Sequence, residues 1–177
     1  MKSVNQWAPV STVSGKVDGG GLSTAPGSER VEPAPAPCAP EDVIVCVLEA
    51  HEAGIYSRSV QLRRGNFAKP PPVAMPAGEL EEVLSLMLDS ALQAMPQGGI
   101  LWVLAYEKQR GAYGPAWPSS AAITPGRFVV LAVKDSGAGT EPDLTRIREL
   151  VEKRGGGVSC SAAPGWGVRV NVYLRAA

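Results

Sequence analysis

Six apolar residues in a row, Phe128-Val129-Val130-Leu131-Ala132-Val133, pass through Lys134 into Asp135-Ser136-Gly137-Ala138-Gly139. The run reads as a strand, and the D-x-G-x-G segment as the turn that ends it. A carboxylate at that point can accept a hydrogen bond from the amine of a base. The two glycines permit φ > 0 and the close approach of a flat ring. A tight turn after a buried strand calls for the same residue types, so the segment takes its meaning from its neighbours.

Before it lies an amphipathic stretch. Leu80, Val83, Leu84, Met87, Leu88, Ala91 and Leu92 recur at three- and four-residue spacing, the stripe of a helix packed on a core. Met95-Pro96-Gln97-Gly98-Gly99 stops it. The spacing predicts strands over 100–106, 127–134, 158–161 and 168–174, with a weaker alternating strand over 59–64. Residues 42–53 read as a helix that Gly54 ends. Leu144, Ile147, Leu150 and Val151 mark a short helix, with Thr140-Glu141-Pro142-Asp143 as its start and Gly155-Gly156-Gly157 as its close. Residues 107–125, rich in Gly and Pro, read as a long loop, with Tyr113 and Trp117 as a candidate partner surface. This order predicts an α+β fold, a two-layer sandwich with helices on one face of a mixed, mostly antiparallel sheet.

Composition narrows the function classes. Seventeen basic and 17 acidic residues give a net charge of zero, which argues against nucleic acid or an anionic membrane as partner. No apolar run is long enough to span a bilayer. Cys38, Cys46 and Cys160 are scattered, without metal-ligand spacing or an even count, which favours a reducing, cytoplasmic setting. Residues 1–40 carry Gly19-Gly20-Gly21 and Pro33-Ala34-Pro35-Ala36-Pro37 and few large apolar residues, so they read as a disordered tail or tether, with Trp7 and Val10 as its only anchors. Residues 41–177 are the domain.

Taken together, the A-M-P-x-G-G helix end, the D-x-G-x-G turn, the G-G-G helix stop and Pro164-Gly165-Trp166-Gly167 before the last strand form an ordered set. In that order and spacing the chain resembles the ATP-binding catalytic domain of sensor histidine kinases, in the GHKL superfamily with its Bergerat fold. The resemblance covers roughly residues 41–176 and implies ATP or ADP as cofactor and a protein partner in signal transduction. Residues 84–99 look like the family's N-box helix. Asp135 takes the place of the aspartate that binds the adenine amine, with Gly137 and Gly139 shaping the pocket.

The chain departs from the family pattern at several positions. Where the N-box asparagine would hold Mg²⁺ stands Ser90, a poorer ligand for a hard cation. Asp89 is adjacent but about 100° away around the helix. Leu86 and Gln93 stand at two further positions where the family has polar or acidic groups, and Val168 replaces a threonine. Only 15 residues, none of them glycine, separate Gly139 from Gly155, too few for the family's lid and second phosphate-binding glycine turn. Glu141 and Asp143 would oppose a polyphosphate there. His51-Glu52 is like the phosphoacceptor pair only superficially, since 27 residues lie between His51 and Glu79, and a helix histidine is the plainer reading. The expectation is therefore a pseudokinase-like regulatory module with neither catalytic residues nor a Mg²⁺ site. The alternative is a functional ATP/ADP-binding domain, acting as a nucleotide switch or as a kinase in trans. An unrelated α+β interaction domain with the same element order is a third reading.

Overall fold

Residue Val73 joins two ends of the chain: it pairs with Cys38 on one side and with Ala176 on the other. Around this clasp the computed structural model describes residues 36–65, 69–111 and 124–177. Trp7, Val10, Tyr113 and Trp117 lie outside the described residues, and so does most of the tail expected over 1–40.

The elements run α1 (Pro40–Ala50), α2 (Glu52–Ser57), β1 (Val60–Arg64), α3 (Ala77–Gln93), β2 (Gly99–Arg110), β3 (Gly126–Asp135), α4 (Thr145–Glu152), β4 (Gly157–Ala163) and β5 (Gly167–Arg175). The sheet order is β1-β2-β3-β5-β4. β1 runs parallel to β2, and every other neighbouring pair is antiparallel. The helices form the second layer, as the sequence implied.

All seven residues of the α3 stripe are buried. They meet Val129, Leu131 and Val133 of β3 and Val170, Val172 and Leu174 of β5 in one core. Each such side chain contributes roughly 1.5–3 kcal/mol through burial. Period-two alternation sends Phe128 and Val130 to the opposite face, where they form a small second cluster with Tyr173 and Tyr106. β3 is therefore buried on both faces, which explains its unbroken apolar run.

Three expectations need correction. Gly54 does not end the first helix. The break falls at His51, where φ −95° and ψ 1° leave the helical region, and Gly54 sits inside α2. Residues 107–110 are not loop. They continue β2 opposite β3, from Glu107 beside Val129 to Arg110 beside Gly126, and Arg127 bonds Glu107 at 2.7 Å. Their charged side chains hid a solvated strand end. Pro142 does not open α4. Asp143 Oδ1 accepts the Thr145 N–H at 2.9 Å and its hydroxyl at 2.7 Å, a local turn that sets the helix start at Thr145.

Candidate functional site

Asp135 is the only charged side chain buried in the described residues, at 4% exposure. Its place at the end of β3 brings it beside the start of β5. Oδ1 accepts the Gly137 N–H at 2.8 Å and the Val168 N–H at 3.3 Å. Oδ2 receives no hydrogen bond from the described residues. Asp135 lines a cavity of about 160 Å³ between α3, β3 and β5. Met87, Ser90 and Ala91 form one wall, Val133 and Val170 the floor, and Thr140, Glu141 and Pro142 the rim. The cavity is mostly apolar, with the carboxylates of Asp135 and Glu141 as its charged acceptors.

The candidate residues divide between this cavity and the packing around it. Asp135 and Ser90 line it together. Asp89 faces elsewhere: its Oδ1 lies 3.2 Å from His51 Nε2, and its side chain is 58% exposed. His51 Nδ1 lies 2.8 Å from the Val47 carbonyl oxygen, so the ring, at the break between α1 and α2, ties the end of α1 to α3.

Gly137 and Gly139 do not line the cavity; each answers a packing demand. A Cβ on Gly137 would strike the Ala94 carbonyl oxygen at the end of α3. Gly139 has φ +77°, and a Cβ there would strike the Ala163 carbonyl oxygen at the end of β4. The turn thus closes against both α3 and the β4–β5 hairpin. Ser136, which the sequence reading passed over, locks it further, its Oγ accepting the Ile100 N–H at 2.9 Å. A serine in a turn after a strand is the signal that pointed to it.

Two features bear on phosphate and metal. Asp143 already occupies the first free N–H at the start of α4, and the Thr145 hydroxyl and backbone bonds hold its carboxyl below the usual carboxylate range. Around the cavity the other side-chain oxygens come from Ser90 of α3 and from the adjacent Thr140 and Glu141 in the connection between β3 and α4. No cluster of three metal-ligating side chains occurs among the described residues.

A larger groove of about 550 Å³ lies between α1, α2 and β1, lined by Leu48, Ile55, Tyr56 and Leu62. It is also lined by Glu49, Glu52 and Arg64, which are exposed, whereas the smaller cavity is lined by the buried Asp135.

The sequence matches no family model. It matches no curated protein. Solved structures do match. The histidine kinase AdeS of Acinetobacter baumannii aligns at a TM-score of 0.59 with 14% identity, over 80% of this chain and 66% of that one. The catalytic domain of histidine kinase ThkA, in a nucleotide-free form, aligns at 0.61 with 13% identity, over 80% of this chain and 96% of that one. Full-length ShkA in complex with AMPPNP aligns at 0.62 with 16% identity. The fold is that of a histidine-kinase catalytic domain. The chain covers 83% of its own length in the ShkA match but spans only 32% of ShkA, and just under two thirds of AdeS. In this histidine-kinase fold the Asp135 cavity sits between the long helix and the central strands. No helix among the described residues is long and apolar enough to cross a membrane.

Proposed function

We propose that this domain is a histidine-kinase-like signalling module that keeps the base-recognising end of a nucleotide site and lacks the end that grips metal and polyphosphate. Phosphoryl transfer is lost in this reading, and the module acts through a protein partner. The observation that carries it is the buried Asp135 carboxylate, which lines a small cavity and has one oxygen committed to the fold and the other without a hydrogen bond from the described residues.

The cavity supports a base rather than a whole nucleotide. Pockets for drug-sized ligands run from about 300 Å³ upward, and this one is about 160 Å³. A ring amine could donate to Asp135 Oδ2 while Met87, Val133 and Val170 cover the ring faces. Beyond the ring, Glu141 on the rim opposes phosphate charge, and the start of α4 already holds Asp143. Phosphoryl transfer depends on positioning and on charge neutralisation by metal and donors. Ser90 and the exposed, His51-paired Asp89 offer neither.

The second reading, an ATP- or ADP-responsive switch or a kinase in trans, rests on the same Asp135 oxygen and requires a partner to supply phosphate donors. Calorimetry with adenosine, ADP and ATP, with and without Mg²⁺, separates the two. The proposal expects weak, Mg²⁺-independent binding of all three, abolished in Asp135→Asn. Mg²⁺-dependent tightening for ATP favours the switch. No heat and no thermal shift with any of them removes the base site.

A further inference from the structure

Among the described strand residues, the face of the sheet turned away from the helices carries cations and no acid. Only two strand residues are acidic, Glu107 and Asp135, and both share the parity of the core-facing Ala105 and Val133. The opposite parity holds Arg63 of β1, Lys134 of β3 and Arg169 of β5. Register places these three in one row across the sheet: Arg63 beside Trp102, Trp102 beside Lys134, Lys134 beside Arg169, and Arg169 beside Ser161. Neighbouring strands lie about 4.8 Å apart, so the row sets Lys134 directly next to Arg169.

Their partners are neutral. Lys134 Nζ sits 4.9 Å from the Trp102 ring centre, and Arg169 Nε donates to Asn171 Oδ1 at 2.9 Å. None of the three pairs with a carboxylate among the described residues. Three arginines elsewhere do pair with carboxylates: Arg127 with Glu107, Arg146 with Glu82 and Arg154 with Glu79. Next to the row the β4–β5 turn projects Trp166, 80% exposed. Lys134, Arg169, Ala162 and Trp166 border an open cavity of about 260 Å³. Like charges set side by side beside an exposed indole form a surface whose charge is unmet within the described residues.

We propose that this row is the docking site for an acidic polypeptide segment, with its carboxylates on Arg63, Lys134 and Arg169 and one apolar side chain against Trp166. Arginine forks pair bidentately with carboxylates, and a rim of complementary charge sets specificity and association rate. A short run of carboxylates matches three cations. A nucleic-acid strand fits less well. The chain has no net positive charge to attract a polyphosphate. Lys134 also covers the Trp102 ring, which leaves one free indole rather than a series of stacking faces. The proposal rests on this face alone and stands or falls independently of the Asp135 site.

The test is selection of a random-peptide phage library on the full 177-residue chain, followed by fluorescence anisotropy on synthetic versions of the recovered peptides. Recovered peptides should be rich in Asp and Glu around a large apolar residue. Their affinity should fall about tenfold or more in Lys134→Glu/Arg169→Glu and in high salt, and severalfold in Trp166→Ala. Trp166 is on an exposed turn, so that variant should melt like the parent. If the double reversal unfolds the chain, Lys134→Gln/Arg169→Gln gives the same reading. Peptides without acidic enrichment, acidic peptides that bind the charge-altered chains equally well, or no recovered peptide would overturn the proposal. So would an oligo-dT strand that binds more tightly than the peptides and displaces them.

Discussion

Asp135 Oδ1 accepts the Val168 N–H at 3.3 Å and thereby ties the end of β3 to the first residues of β5. The same atom takes the Gly137 N–H at 2.8 Å. One oxygen of this carboxylate therefore serves the fold, while the other receives no hydrogen bond from the described residues.

Substitution separates the two duties. Asp135→Asn keeps an acceptor for both N–H groups and turns the second oxygen into a donor. Its stability should stay within about 1 kcal/mol of the parent, while adenosine binding falls at least about tenfold. Asp135→Ala strands the buried Val168 N–H and the part-buried Gly137 N–H, and should cost about 1–3 kcal/mol for the first and less for the second. Urea denaturation and calorimetry on both variants check this. Equal loss of stability in the two would mean that the carboxylate serves the fold alone.

Gly137→Ala should destabilise the domain by about 2–4 kcal/mol, because the new methyl meets the Ala94 carbonyl at the end of α3 and backbone must move. Gly165→Ala is the control on the neighbouring hairpin. Its added methyl meets nothing within 4 Å, so its cost should come from the φ of +76° alone, about 1 kcal/mol. Thermal or urea melts that rank the two the other way would show that the turn does not close against α3 as described.

How much of this was legible in the sequence follows from which forces set each element. The α3 stripe and the β3 run were readable because burial imposes a period and a composition. Lys108, Gln109 and Arg110 were not readable as strand, since they owe their extended form to pairing with β3 and carry solvated side chains. The start of α4 was misplaced because Pro142 is compatible with a first helical turn, while the Asp143 side chain, bonded to Thr145, decides where the helix begins. Asp135 was legible as the carboxylate that ends β3, because the D-x-G-x-G segment follows directly on the apolar run. That Gly137 and Gly139 serve packing against Ala94 and Ala163 depends on contacts distant in sequence, which no local pattern encodes.

Glu141 sets the charge at the cavity rim. Removing it in Glu141→Ala should strengthen ATP binding more than adenosine binding, by up to about tenfold, the scale of one charge repulsion at close range in water, since Glu141 is exposed. Parallel titrations with the two ligands measure the difference. An equal effect on both would place Glu141 away from the phosphate path.

Arg154 grips Glu79 with two hydrogen bonds, at 2.8 and 2.6 Å, and joins the first turn of α3 to the chain just after α4. Chiefly through these side-chain bonds, and against the opposing effect of burial, Arg154 holds the Glu79 carboxyl below the usual carboxylate range. A lowered folded-state value means stability that is present above the unfolded value, about 4.3, and lost as pH falls through the folded one. Glu79→Gln should therefore cost about 1–2 kcal/mol at neutral pH, and its deficit should shrink as pH drops below about 4. Urea melts across that range test the sign. A deficit that stays constant into acid would show that the pair contributes through shape rather than charge.

The most direct measurement is phosphate release from ATP by the purified chain, run beside calorimetry with adenosine and ATP in Mg²⁺ and in EDTA. A domain that recognises the base but cannot hold metal or polyphosphate should release no phosphate above buffer and should bind both ligands equally with or without the metal. Phosphate release that disappears in Asp135→Asn, or ATP binding that tightens at least about tenfold with Mg²⁺, would contradict the account.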